Sequence, residues 1–161
     1  LTTADTTGTT NQATGRFNPG FYDMTAIQIN PFIKYQELEF FGTFENASGY
    51  KVTTVAGVPT KAATSGNYTQ YAGELLYRFG NKEQFYVGGK YNVINGKDND
   101  TAAERKIDRF NLAGGWFMTK NILAKVEYVN QKYNNSNVWG ATSALNGGKF
   151  NGLVFEATIG F

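Results

Sequence analysis

Apolar and polar residues alternate with a period of two along most of this chain, in short segments separated by breaks rich in Gly and Asn. Because successive side chains of a β-strand point to opposite faces of a sheet, this alternation predicts strands. The clearest segments are residues 69–79, 84–94, 105–118, a stretch that starts at residue 122, and 150–161. Residues 1–20 show no period and are rich in Thr, Gly and Asn, which predicts an outer loop or a disordered lead-in.

The pattern is weaker over residues 21–45. We expect one strand over residues 21–29, ended by Asn30-Pro31 because proline cannot donate to a strand ladder, and a second over residues 33–45. In that second strand Ile33 and Tyr35 fall on one face, and Leu38, Phe40 and Phe44 on the other. A β-bulge near Gln36 would reconcile the two sets. Residues 47–67 are predicted to be a loop.

The two faces of the predicted sheet differ in chemistry. One face is apolar and nearly free of charge from residue 70 onward, with aromatic side chains near the strand ends, as in the two girdles of a membrane barrel: Tyr71, Tyr77, Phe79, Phe85, Tyr91, Phe110, Trp116 and Tyr128. The other face carries the candidate lumen-facing residues: Glu74, Arg78, Lys90, Arg109, Lys125, Glu127 and Glu156. In water the charged face would be outside, whereas in a transmembrane barrel the apolar face meets lipid.

The connections alternate between short and long. Short turns are expected at Asn30-Pro31, at residues 80–83 and at residues 119–121, and long loops at residues 46–67, 95–104 and 134–149. Outer-membrane barrels have short periplasmic turns and longer outer loops, whereas a β-sandwich has no reason to keep this order.

The predicted fold is therefore all-β, an antiparallel transmembrane β-barrel over residues 21–161. The chain would supply about the last seven or eight strands. Since single-chain bacterial barrels usually have an even strand number of at least eight, we expect a piece of a larger barrel. A complete eight-stranded barrel with one strand missed is the alternative, and a soluble sandwich or lipocalin-like barrel is the competing fold.

Composition narrows the function. The chain has no Cys and no His, so it lacks a thiolate nucleophile, the commonest metal ligand and the usual general base at neutral pH. A net charge of +2 gives no basic field for nucleic acid. We expect neither an enzyme, nor a cofactor, nor a metal site.

The C-terminal segment resembles the assembly signal of outer-membrane proteins, which ends in an aromatic residue preceded by apolar residues at alternate positions. Phe155, Ala157, Ile159 and Phe161 carry that pattern. The sequences at residues 30–35, 69–74, 77–80 and 121–128 are similar to the C-terminal halves of porin-like outer-membrane proteins of the Bacteroidota kind, loosely related to phosphate-selective porins. The resemblance spans residues 20–161 and implies a barrel in a bacterial outer membrane.

The expected function is that of a porin-like channel for passive diffusion of small solutes. Its partners would be outer-membrane lipid and lipopolysaccharide, the outer-membrane assembly machinery and other outer-membrane subunits. The alternative is a structural or scaffold barrel within a larger outer-membrane complex, with ion pairs filling its lumen. A soluble barrel that binds an apolar ligand is the third hypothesis.

Two minor motifs lie in predicted outer segments. Asp5-Thr6-Thr7 and Asp100-Thr101-Ala102 resemble the O-glycosylation acceptors of Bacteroidota, which makes Thr6 and Thr101 candidates for modification. Asp98, Asp100 and Glu104 could offer oxygen ligands to calcium, but they lack the spacing of an EF-hand loop.

Overall fold

The computed structural model describes residues 19–134, 138–143 and 145–160, and it is built from strands. The ten strands are β1 (Asp23–Ile29), β2 (Phe32–Tyr35), β3 (Leu38–Tyr50), β4 (Val52–Val55), β5 (Val58–Lys61), β6 (Gly66–Phe79), β7 (Phe85–Lys97), β8 (Arg105–Thr119), β9 (Ile122–Asn134) and β10 (Lys149–Ile159). None of the described residues belongs to a helix long and apolar enough to cross a membrane.

Eight of these strands form one antiparallel sheet in the order β1-β3-β6-β7-β8-β9-β10, with β2 also paired to β3. All pairs in this sheet are antiparallel, and β4 and β5 form a separate antiparallel hairpin, which confirms the predicted all-β antiparallel fold. The sheet is not closed into a barrel within the described residues, since β1 and β2 lie at one edge and β10 at the other.

Strands β1 and β2 are one line of backbone rather than two hairpin partners. Both pair with β3 in the same register, with Ile29 opposite Phe44 and Phe32 opposite Phe41. Across the gap, the Gly42 amide donates to the Pro31 carbonyl at 2.9 Å. The predicted turn at Asn30-Pro31 is therefore wrong, because the backbone stays paired with β3 on both sides of the proline.

The turn lies instead at Gln36-Glu37, where Tyr35 pairs with Leu38. Gln36 has φ of 52°, the conformation of the first central residue of a type II′ hairpin turn. The bulge predicted near Gln36 is also wrong. A two-residue turn places Ile33 opposite Phe40, so the apolar side chains before and after it share one face.

The connections alternate in length as predicted once this turn is moved. Short turns at residues 36–37, 80–84 and 120–121 lie at one end of the sheet, called here the short-turn end. Connections at residues 51–65, 98–104 and 135–148 lie at the opposite, long-connection end. The first of these is not a plain loop, because β4 and β5 form a separate hairpin within it.

Candidate functional site

The strand register sorts the side chains into two faces. The outer face carries the aromatic residues predicted to form girdles, and the inner face carries the charged residues predicted to face a lumen. Tyr77 pairs with Val87 and Phe85 with Trp116 on the outer face, while Glu74 pairs with Lys90 on the inner face. The sequence pattern therefore assigned these side chains correctly to opposite faces.

The outer face is exposed and apolar. At the short-turn end its rings stack in a row that crosses strands, with centroid separations of 5.6 Å for Phe79 and Phe85 and 5.9 Å for Phe85 and Trp116. Phe155, in the predicted assembly signal, is 77% exposed and Leu153 is 63% exposed. The same face of β10 carries Ala157 and Ile159. Phe161, the last residue of that signal, lies outside the described residues, as does Thr6.

The inner face curls around a cavity of about 520 Å³ lined by residues of β6, β7, β8 and β9. Six of the seven predicted lumen residues line it: Glu74, Arg78, Lys90, Arg109, Lys125 and Glu127. Glu156, the seventh, lies on β10 and contacts the cavity wall through Lys125 at 3.6 Å. Small residues at Gly88 and Ala113 leave the space open.

Most charges on the inner face are paired, either across strands or, for Lys125 and Glu127, along β9. Lys90 contacts Glu74 at 3.5 Å, and Lys125 contacts Glu127 at 2.8 Å. Arg78 contacts Glu39, on β3, at 2.9 Å through its Nε atom. The sequence reasoning missed Glu39, although its position two residues before Phe41 on the inner face could have indicated it once the turn at residues 36–37 was known.

Arg109 is held by amides rather than by a carboxylate. Its Nε donates to Asn111 at 3.2 Å and its Nη1 donates to Gln131 at 3.4 Å. Both amide side chains are buried, and each is fixed in turn, because Asn111 donates to Glu127 and Gln131 donates to the Tyr133 hydroxyl at 2.7 Å. The sequence reasoning singled out neither amide, since Asn and Gln on a polar face carry no charge signal.

The long-connection end has a small core of its own. Ile107, Tyr133 and Leu145 are buried there, with Ile94 and Trp139 packed against them. Tyr133 and Trp139 meet edge to face at 5.5 Å, and the Trp139 indole donates to the Asn134 carbonyl at 2.8 Å. Because Ile94, Ile107 and Tyr133 are on the inner face, the third long connection, predicted as a polar loop, folds over that face through Trp139 and Leu145.

A second cluster at this end centres on Asp98. Its carboxylate contacts Lys51 at 2.8 Å and Arg105 at 2.5 Å, and the Tyr68 hydroxyl donates to it at 2.9 Å. Arg105 also donates to the Val138 carbonyl at 3.2 Å. Asp98 therefore ties together all three long connections.

The environment of Asp98 favours its ionised form. Burial alone raises the pKa of the carboxyl, but hydrogen bonds from Lys51 and Tyr68 and the charge of Arg105 outweigh burial and hold the pKa below its usual range. This arrangement argues against the calcium hypothesis, because the Asp98 oxygens are already bound by cations. Among the described residues no group of three or more His, Cys, Asp or Glu is placed to hold a metal ion.

Thr101 lies exposed in the same connection, and its hydroxyl donates to the Asn99 side chain at 2.9 Å. Its modification stays a prediction.

Comparison with known proteins adds no assignment. No protein-family model, no curated protein and no solved structure matches this chain. The resemblance to porin-like proteins therefore stays a prediction drawn from the residues themselves.

Proposed function

We propose that this chain forms part of the wall of a bacterial outer-membrane β-barrel that acts as a porin-like channel for passive diffusion of small solutes. The observation that carries the proposal is an apolar band on the outer face, which runs obliquely across the strands opposite a charged inner face. The outer face would meet lipid, and the inner face would line the lumen.

The band covers seven to nine residues on each strand, and its limit at the long-connection end steps along the register between β7 and β9. It occupies residues 38–44 of β3, 71–79 of β6, 85–93 of β7, 110–118 of β8, 122–128 of β9 and 153–159 of β10. At the long-connection end it stops at polar residues on the same face: Asn46, Thr69, Asn95, Asp108, Asn130 and Asn151. From β7 to β9 both limits move toward the short-turn end.

An oblique band is expected when strands are tilted against a planar apolar layer. Nine residues at roughly 3.4 Å each, tilted by about 40°, rise roughly 23 Å, close to the apolar height of outer-membrane barrels. In water the same band would be a large exposed apolar patch, which soluble monomers rarely carry. The soluble barrel is therefore the weaker hypothesis.

Closure of the barrel requires further strands. The line of β1 and β2 and strand β10 both run from the long-connection end to the short-turn end, because they are the first and last of seven antiparallel lines. The two edges cannot pair antiparallel with each other, nor with those of a second copy inserted in the same orientation. We propose that an odd number of further antiparallel strands completes the barrel, since a bilayer does not tolerate an unpaired edge. The strands that pair with the two edges would run opposite to them.

A scaffold barrel with a filled lumen is the second candidate, and a specific observation favours it. Trp139 and Leu145 fold over the inner face at the long-connection end, and the ion pairs occupy part of the remaining surface. The channel hypothesis is preferred because the ion-paired residues leave a cavity of about 520 Å³ in front of them.

Gel mobility tests the membrane barrel. The full-length protein, extracted in mild detergent from the outer-membrane fraction, is expected to run as a compact SDS-resistant form that shifts on boiling. A protein that is soluble without detergent and shows no heat shift would support the soluble barrel instead.

Conductance in planar bilayers then separates the two membrane hypotheses. A channel gives discrete steps at modest voltage. A heat-modifiable barrel that gives no steps and does not swell liposomes in isotonic sugar would be the scaffold subunit.

A further inference from the structure

Arg109 differs from the other cations of the inner-face cavity. Arg78, Lys90 and Lys125 each lie within 4 Å of a carboxylate. In the described part of the chain Arg109 forms no such ion pair and contacts only the neutral amides of Asn111 and Gln131. The carboxylate linked to it, Glu127, lies beyond Asn111 and forms its ion pair with Lys125.

The two amides fix the guanidinium without saturating it. A guanidinium has five N–H donors in a planar fork, and two of these are used here. Three donors remain on a group whose orientation is set by buried neighbours. A planar fork of this kind matches the two oxygens of a carboxylate.

Asn92 lies directly opposite Arg109 on the neighbouring strand and lines the same cavity. Its Oδ1 atom is buried, and it accepts no hydrogen bond within residues 19–134, 138–143 and 145–160. Buried polar atoms are nearly always hydrogen-bonded, so an acceptor without a donor at this place indicates a missing partner. That partner must donate a hydrogen bond, whereas the partner of Arg109 must accept.

The surroundings leave room for a small molecule that does both. Ala72 pairs with Asn92 on the other side, Lys90 and Asn111 form the next pair on the inner face, and the small residues Gly88 and Ala113 lie beyond them. Four cations and two carboxylates line the cavity, and Glu39 and Glu156 pair with two of these cations from outside the lining. Among the described residues, Arg109 is thus the lining cation that has no carboxylate within 4 Å. The carboxylates, Glu74 and Glu127, are engaged by Lys90 and Lys125.

We propose that Arg109 and Asn92 form a binding site for a small carboxylate that carries an adjacent hydrogen-bond donor, such as a hydroxy acid. The carboxylate binds the free edge of the Arg109 guanidinium, and the neighbouring hydroxyl donates to Asn92 Oδ1. The site rests on the proposed function, because solute reaches it only if the inner face lines a water-filled lumen.

Equilibrium binding in detergent tests the site without requiring ion flow. Isothermal titration of the full-length protein at fixed ionic strength uses lactate, and propionate as the matched acid without a hydroxyl. Lactate is expected to bind at least fivefold more tightly than propionate. Arg109→Gln should weaken lactate at least tenfold, and Asn92→Leu should lower lactate to the level of propionate while propionate itself is unchanged.

Two further variants sharpen the result. Asn92→Asp places a carboxylate opposite Arg109 and should abolish lactate binding, whereas Lys82→Gln, the same loss of charge in a short turn, should leave it unchanged. Heat-modifiable mobility of every variant confirms that the barrel is intact.

Equal affinity for the two acids, or an equal loss of lactate affinity in Arg78→Gln and Arg109→Gln, would overturn the site and show that diffuse positive charge attracts the acid. A protein that binds lactate but does not conduct would retain the site and contradict the channel.

Discussion

The two ends of the sheet differ in how their large side chains are packed. At the long-connection end the buried side chains lie on the inner face, where Ile107, Tyr133 and Leu145 form a core within the chain. At the short-turn end the exposed rings lie on the outer face, where Phe79 and Trp116 flank the half-buried Phe85 in a stacked row, while Tyr86 and Phe117 pack together on the inner face.

This difference separates two sources of stability. Packing at the long-connection end comes from contacts that the chain makes with itself. The outer face has no such partner in the described residues, so its stability depends on the medium that surrounds it. Substitutions at the two places should therefore respond differently to lipid, and the following experiments use that contrast.

The largest effect is expected for an arginine in the middle of the apolar band. Leu112→Arg should destabilise the protein by about 2–4 kcal/mol in lipid vesicles, because it places a charge near the bilayer midplane. Thr69→Arg, on the same face beyond the band, should cost about 0–1 kcal/mol. Denaturant unfolding followed by Trp fluorescence measures both. Equal costs for the two variants would show that the band does not lie in lipid.

Removal of a buried ring should affect the other end. Tyr133 is 5% exposed, and Tyr133→Ala should destabilise the long-connection end by about 2–3 kcal/mol through loss of buried area and a residual cavity. The connection at residues 135–148 should then be cut by protease while the SDS-resistant barrel persists. Tyr77→Ala, an exposed ring of the outer face, is the matched control and should leave that connection protected.

The Asp98 cluster should make the long-connection end sensitive to acid. A carboxyl whose pKa is lowered on folding contributes stability above its unfolded pKa of about 3.9, and the contribution is lost as pH falls through the folded pKa. Proteolysis of this end by an acid-active protease should therefore increase below about pH 4. Asp98→Asn should cost about 1–3 kcal/mol at pH 7 and remove the pH dependence. An unchanged acid response in Asp98→Asn would assign the effect to other carboxylates.

The smallest effect concerns the first short turn. Gln36 has φ of 52°, which glycine adopts without steric cost. Gln36→Gly should therefore stabilise the β2–β3 hairpin by up to about 1 kcal/mol, visible as a higher denaturant midpoint. Glu37→Gly, at the other central residue of the turn, should not stabilise it. A loss of stability in Gln36→Gly would contradict the type II′ geometry.

Much of the fold followed from local alternation. Strand residues from Tyr71 to Ile159 were assigned to the correct faces, because a strand that pairs with both neighbours keeps its period of two over its whole length. The face shared by Glu74, Lys90 and Arg109 was predictable for the same reason. The ion pair between Glu74 and Lys90 follows from the cross-strand register, which sequence alone leaves open.

The errors arose where geometry overrides local signals. Gln36 and Glu37 include no Gly or Asn, so the sequence gives no signal for the turn between β2 and β3. Pro31 predicts a break in the strand, but an edge strand can accommodate a proline. The inward fold of the third connection depends on contacts between Trp139 and Tyr133 and between Arg105 and Val138. Such contacts join residues that are distant in the chain and leave no periodic pattern.

The position of Pro31 has a consequence for the exposed side of the edge it occupies. Its carbonyl accepts from Gly42, so the backbone groups of Pro31 point toward β3, and those of its neighbours Asn30 and Phe32 point away from it. The amide donor that proline lacks would have faced β3. The side of this strand that faces away from β3 therefore loses no amide donor. Proline usually protects an edge by removing donors from its open side. Here it does not, and the edge is left fully competent to add another strand.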